Sequence, residues 1–337
     1  MPKRPAIHDA FNRTHTNLRL SVTDRCNIRC FYCMPAENVQ FQPRHELLTF
    51  EEITRFVSVL ATMGVNKLRL TGGEPLVRSD LATLVTMLVK TKGIRDVALT
   101  TNGLLLNEQA ADLKRAGLHR LNVSLDTLCE ETFEKISRRT GLQKVLDGIA
   151  AAKEAGFDNI RLNALAIRDL TEQEIIPLTR FALEQKLALR FIEFMPLDAD
   201  ARWETDKVLS GAEIMTIIES EFGPLVPAER TEPAQPAVDY RFENPTLAAT
   251  QIGLINPVTE PFCGNCNRLR LTADGQVRNC LFSSDEWDAR ALLRNDRSTD
   301  DDIAELVYDC VSHKKPGHGI DSTEFLKPQR AMYQIGG

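Results

Sequence analysis

The run Cys26-Asn27-Ile28-Arg29-Cys30-Phe31-Tyr32-Cys33-Met34-Pro35 follows an alternating apolar stretch, Leu18-Arg19-Leu20-Ser21-Val22, that reads as a β-strand. Three cysteines at C-x3-C-x2-C spacing on one loop supply three thiolates and leave a fourth ligand unnamed. A structural zinc site closes with four ligands, usually two cysteine or histidine pairs, so a zinc loop here would have to borrow a distant one. An iron–sulfur cubane takes thiolates readily. Held by three cysteines, it keeps one iron open, free to chelate a small molecule. The spacing, the aromatic residue before Cys33 and the preceding strand favour the cluster.

Around this loop the chain is ordinary. Of 337 residues, 43% are hydrophobic and 26% charged, the profile of a globular protein with one large domain or a domain plus an appendage. No run approaches the ~18 apolar residues of a membrane span. The basic start Met1-Pro2-Lys3-Arg4-Pro5 leads into no apolar segment, so no signal peptide, no membrane association and a cytoplasmic location are expected. In a reducing compartment eight cysteines mean metal or redox chemistry rather than disulfides. Six fall into two clusters; Cys129 and Cys310 stand alone and are expected to be buried as small hydrophobes. A net charge of −6 argues against nucleic-acid binding but permits an anionic small substrate held by local arginines and lysines.

Thr49 and Glu52 form a capping box, apolar residues follow at helical spacing from Ile53 to Met63, and Gly64 ends the helix. A strand at Lys67–Thr71 then meets the turn Gly72-Gly73-Glu74-Pro75. The alternation repeats, with strands expected at 96–101, 120–125, 159–165 and 188–194 and helices at 79–90, 107–116, 142–155 and 171–185. Six βα units predict a parallel sheet with right-handed crossovers, an open, partial β/α barrel. Catalytic loops lie at the carboxyl ends of such strands. After a helix at 210–222, residues 223–262 carry seven prolines. The domains expected are therefore a barrel over 1–222 and a carboxy-terminal extension over 223–337 that closes over the barrel mouth.

The extension holds a second triplet, Cys263, Cys266 and Cys280, with C-x2-C-x13-C spacing. A zinc knuckle would again lack its fourth ligand, and a second cluster with an open iron is favoured. Arg268 and Arg270 follow at once, alternating so that both guanidinium groups share one strand face, placed to pair with phosphates. A solvated edge strand is the plainer alternative.

Taken together, these stretches resemble the GTP 3′,8-cyclase (MoaA) family of the radical S-adenosylmethionine (SAM) superfamily, which makes the first intermediate of molybdenum cofactor biosynthesis. The likeness rests on Leu-Arg-Leu-Ser-Val-Thr-Asp-Arg-Cys-Asn, Arg-Leu-Thr-Gly-Gly-Glu-Pro-Leu, Thr-Thr-Asn-Gly, Asn-Val-Ser-Leu-Asp-Thr-Leu, Phe-Ile-Glu-Phe-Met-Pro, Phe-Cys-Gly-Asn-Cys-Asn-Arg-Leu-Arg-Leu-Thr-Ala-Asp-Gly and the terminal Gly336-Gly337. It implies that Cys26, Cys30 and Cys33 ligate a [4Fe-4S] cluster that binds SAM. Tyr32, Gly73, Ser124 and Met195 would contact SAM. Cys263, Cys266 and Cys280 would hold a second [4Fe-4S] cluster that binds the guanine ring. Arg19, Lys67, Arg69, Thr100, Arg161, Arg190, Arg268 and Arg270 would lie on the GTP side. Arg161 departs from the family's usual lysine, exchanging a point donor for a planar fork.

The resemblance further implies a 5′-deoxyadenosyl radical that removes the 3′ hydrogen of GTP, attack of C3′ on C8 and reduction to the cyclised dihydroguanosine triphosphate. It implies an electron donor, a homodimer, transfer of product to the cyclic pyranopterin monophosphate synthase, and a Gly-Gly tail that enters the active site. No histidine is assigned as a ligand. A peptide-modifying radical SAM maturase would carry more cysteines in its extension and would not need the Arg-Leu-Arg run. A non-enzymatic iron–sulfur redox protein would not need the Thr-Gly-Gly-Glu-Pro turn.

Overall fold

In the computed structural model, which describes residues 3–198, 200, 203–230, 232–320, 322 and 325–336, the expected alternation is present. β1 (Asn17–Ser21) precedes the cysteine loop, and α1 (Phe50–Thr62) begins at Thr49, whose side chain accepts from Glu52 N in the capping box read from the sequence. There follow β2 (Lys67–Thr71), α2 (Leu81–Val89), β3 (Asp96–Thr101), α3 (Leu106–Arg115) and β4 (Arg120–Ser124). α4 (Glu130–Ser137) and α5 (Leu142–Glu154) lead to β5 (Ile160–Ala166), α6 (Ile175–Gln185), β6 (Ala188–Glu193) and α7 (Gly211–Phe222).

The residues after α7 extend the sheet at both of its edges. β7 (Leu225–Pro227), β8 (Val238–Phe242) and β9 (Gln251–Ile255) join one edge of the sheet, where β9 pairs parallel to β6. β10 (Arg268–Leu271), β11 (Gln276–Arg278) and β12 (Trp287–Asp288) join the other edge, where β10 pairs parallel to β1. Among the described residues the sheet order is β12-β11-β10-β1-β2-β3-β4-β5-β6-β9-β8-β7, with β10 through β9 all parallel. α8 (Ala289–Leu293), α9 (Asp300–Ser312) and α10 (Met332–Ile335) complete the chain.

Strand alternation decides which side chains face inward. On β1 and β2 the leucines Leu18, Leu20, Leu68 and Leu70 are buried in the main hydrophobic core, which also takes Phe56 and Leu60 of α1 and Leu84 and Leu88 of α2. Arg19 and Arg69, one residue out of phase, point to the opposite face. The sheet is strongly curled. Arg69 on β2 feels the charge of Arg190 on β6, four strands away, a separation of about 19 Å in a flat sheet. Cys310 is buried as expected, but Cys129 is exposed. It sits at the N-cap of α4, a helix whose only buried apolar side chains are Phe133 and Ile136.

Candidate active site

The cysteine loop leaves the carboxyl end of β1 and is fastened to the turn after β2. Gly73 N donates to Thr23 O and Glu74 N to Arg25 O, both at 2.8 Å. A Cβ on Gly73 would stand 2.3 Å from Arg25 O, so glycine there is dictated by the backbone of the cysteine loop itself. Glu74 is buried and accepts from Leu76 N (3.0 Å), Thr101 Oγ1 (2.7 Å) and Asn102 N (2.7 Å), tying the turn to β3. Burial lifts its carboxyl to about 7 against those three bonds, which favour the ionised form.

The thiols of Cys26, Cys30 and Cys33 lie close enough to perturb one another. Burial raises all three, Cys26 to about 11, and the charge of Glu74 adds to the rise at Cys26. Such thiols stay protonated until a cationic group displaces the proton. Among the described residues no three His, Cys, Asp or Glu side chains close on a single metal ion. Cys30, Tyr32, Asn102, Ser124 and Asp126 line a narrow cleft beside the loop. Tyr32 OH donates to Asp126 Oδ2 at 2.7 Å, and Asp126 Oδ1 accepts from Leu165 N. Met195 lies two residues beyond the end of β6.

The second triplet is likewise assembled: Cys263 feels the charges of both Cys280 and Cys266. Burial would raise the Cys266 thiol, but Arg268 and Lys314 outweigh it and bring it down to about 6. Arg268 also stacks over Phe262, 4.6 Å from the ring centroid.

Beside the second triplet lies a cationic wall. Parallel register places Arg270, Arg19 and Arg69 in one row across β10, β1 and β2. Burial lowers each guanidinium and its cationic neighbours lower it further, Arg69 and Arg270 to about 9 and Arg161 to about 10. The Nε atoms of Arg19 and Arg268 are buried without a hydrogen-bond partner among the described residues. Arg69 Nη1 donates to Thr100 Oγ1 at 3.3 Å. Two of these cations meet carboxylates of the extension: Lys67 pairs with Glu232 at 2.5 Å, and Arg190 with Asp239 at 3.4 Å. β10 is thus no solvated edge strand, because β1 and β11 flank it and Arg270 is buried.

The tail enters this space. Arg330 pairs with Asp274 and Glu286, Tyr333 packs against Phe41, and its backbone amide donates to the Cys33 thiol. Gly336, at φ +81°, offers its carbonyl oxygen to Arg270 Nη1, and its Cα lies so near Ser21 and Thr71 that a Cβ would touch both. Gly337 lies outside the described residues.

Sequence reading missed several groups here. Glu74, Asn102 and Asp126 stood in quoted motifs without an assigned role. Arg13 and Lys314 gave no signal: apart from Asp9 beside Arg13, their partners are backbone carbonyls and a thiol far away in the chain.

The radical SAM superfamily model matches residues 20–182, and the Molybdenum Cofactor Synthesis C model matches residues 187–320. A GTP 3′,8-cyclase of Rhodopirellula baltica is 52% identical over 333 residues, 98% of this chain and 92% of the relative. One from Pelotomaculum thermopropionicum is 43% identical over 98% of this chain and 100% of the relative. One from Paenarthrobacter nicotinovorans is 42% identical over 98% and 96%. Among solved structures, Streptococcus suis SuiB bound to S-adenosylmethionine superposes with a TM-score of 0.64 at 15% identity, over 93% of this chain and 69% of that one. At that identity the likeness concerns the fold alone.

Proposed function

The chain belongs to the GTP 3′,8-cyclase family of radical SAM enzymes, and from that premise we propose how its residues divide the work. It converts GTP to (8S)-3′,8-cyclo-7,8-dihydroguanosine 5′-triphosphate, the first step of molybdenum cofactor biosynthesis, using SAM and two [4Fe-4S] clusters. Cys26, Cys30 and Cys33 would hold the first cluster, and Cys263, Cys266 and Cys280 the second. Each set brings three thiols within electrostatic reach of one another, a number that suits a cluster with one open iron. When bound, SAM on the first cluster supplies a 5′-deoxyadenosyl radical for removal of the ribose 3′ hydrogen.

Tyr32, Gly73, Ser124 and Met195 face SAM in this reading, with Tyr32 oriented by Asp126. The nucleotide occupies the cationic space between the triplets, its phosphates against Arg19, Lys67, Arg69, Arg161, Arg190, Arg268 and Arg270, with Thr100 beside them. The observation that carries the reading is the row Arg270–Arg19–Arg69. Three adjacent guanidiniums, Arg270 buried and Arg19 and Arg69 half-buried, repel one another, and the Nε atoms of Arg19 and Arg268 lack partners among the described residues, so a bound anion would stabilise the row. The surrounding strands exclude water and fix the ribose, leaving the cyclising atoms little freedom.

An external electron donor, a homodimeric state, a cytoplasmic location and transfer of product to the cyclic pyranopterin monophosphate synthase are supported by the family resemblance. No helix among the described residues is long and apolar enough to cross a membrane. Anaerobic incubation with reductant, SAM and each of the four nucleoside triphosphates tests the substrate assignment. Only GTP should be cyclised, and equal turnover of ATP would refute it.

A further inference from the structure

Lys314 is buried, 5% exposed, just beyond α9. Its Nζ donates to Arg268 O at 2.9 Å and stands 3.7 Å from Cys266 Sγ. Among the described residues it pairs with no carboxylate. The charged and titratable groups that face it are Arg268 and Arg13, both cations, the thiols of Cys266 and Cys280, the buried thiol of Cys310 and the imidazole of His15. A buried ammonium needs an anion nearby; burial holds the Cys310 thiol protonated and the His15 imidazole neutral, which leaves the cysteine triplet to supply it.

The position of Lys314 is itself fixed. Arg13 is buried and donates to Cys263 O (2.8 Å), Pro316 O (3.0 Å) and Lys315 O (2.7 Å). Its Nε is anchored on Asp9 Oδ2 at 2.6 Å, while Asp9 Oδ1 accepts from the backbone amides of Phe11 and Arg13. One guanidinium therefore ties the amino-terminal arm, the cysteine loop and the residues after Lys314 together. His15 packs beside Asp9, 3.7 Å away, and burial keeps its imidazole neutral, so it brings no competing charge.

We propose that Lys314, held in place by Arg13, is the counter-cation of the second cluster and raises that cluster's reduction potential. This rests on the reading that Cys263, Cys266 and Cys280 hold a [4Fe-4S] group. Three thiolates outweigh the dipositive core of an oxidised cluster, and one-electron reduction adds a further negative charge. A fixed buried cation therefore stabilises the reduced form more than the oxidised form.

The test uses the full chain with Cys26, Cys30 and Cys33 replaced by alanine, so that iron reports the second site alone. After anaerobic reconstitution, iron per chain and the midpoint potential are measured, the latter by redox titration followed by electron paramagnetic resonance. Lys314→Met and Lys314→Gln should each make the reduced cluster about tenfold less favoured, lowering the midpoint by about 59 mV for this one-electron couple. Lys314→Arg should keep the parent value. Iron lost from the two neutral variants but kept in Lys314→Arg supports the same role. Unchanged potentials in Lys314→Met and Lys314→Gln would overturn the proposal, as would equal iron loss in all three variants. A parent chain that binds no iron would instead overturn the second cluster site, and the counter-cation with it.

Discussion

Replacing Gly336 by alanine should undock the tail. The residue sits at φ +81°, where an L side chain costs about 1–2 kcal/mol. Its Cβ would lie 2.2 Å from Ser21 Oγ and 2.8 Å from Thr71 Cγ2. Both neighbours are buried at the carboxyl ends of β1 and β2, so relieving the overlap costs about 1–3 kcal/mol more. Together these terms lower the docked population by roughly 30-fold to several thousandfold. The hydrogen bond from Arg270 to the Gly336 carbonyl would go with it. Upstream, Arg330 is clamped on Asp274 and Glu286 independently of Gly336, so only the last turn should loosen. Carboxypeptidase digestion followed by mass spectrometry reads this directly: the terminal residues should be trimmed much faster in Gly336→Ala than in the parent. Both clusters should still assemble. Equal trimming rates would show that the tail is not held in the barrel, and the argument from close packing would fail.

Arg268→Ala or Arg270→Ala removes a charge-assisted contact worth about 1.5–3 kcal/mol, so GTP binding should weaken tenfold or more by calorimetry, with iron content unchanged. Guanosine affinity should hardly move in either variant; if it falls as far as that of GTP, the arginines do not grip phosphates. Glu232→Gln breaks a half-exposed pair that competes for Lys67, so GTP should bind a few-fold more tightly, and weaker binding would mean that Glu232 assists the substrate instead. Glu74 supplies a pH dependence: its folded value of about 7 lies above the ordinary 4.5, so the folded state holds a proton that the unfolded chain releases. Stability from this group is present below pH 4.5 and is lost as pH rises through 7, by at most about 3 kcal/mol. Thermal melts of Glu74→Gln should show a flatter slope over that window, and an unchanged slope would assign it to another group.

The barrel was legible because its signals are local. The capping box at Thr49–Glu52 and the leucines in alternation on β1 and β2 mark their elements within a few residues. α4 escaped because eight residues with two buried apolar side chains make too short a stripe. β7, β8 and β9 escaped because prolines surround them, and Pro227 is tolerated only because β7 is the edge strand. The same locality governed the site. Both cysteine triplets and the alternation of Arg268 with Arg270 could be read along the chain. The row Arg270–Arg19–Arg69 depends on strand register, and the grip of Arg13 on Cys263 spans 250 residues.

The most direct test of the account follows one hydrogen atom. Reconstituted protein is incubated anaerobically with reductant, SAM and GTP deuterated at the ribose 3′ position, and the 5′-deoxyadenosine is analysed by mass spectrometry. Deuterium in 5′-deoxyadenosine, together with formation of the 3′,8-cyclised triphosphate, is the expected result. Deuterium that stays in the nucleotide while 5′-deoxyadenosine accumulates would contradict it.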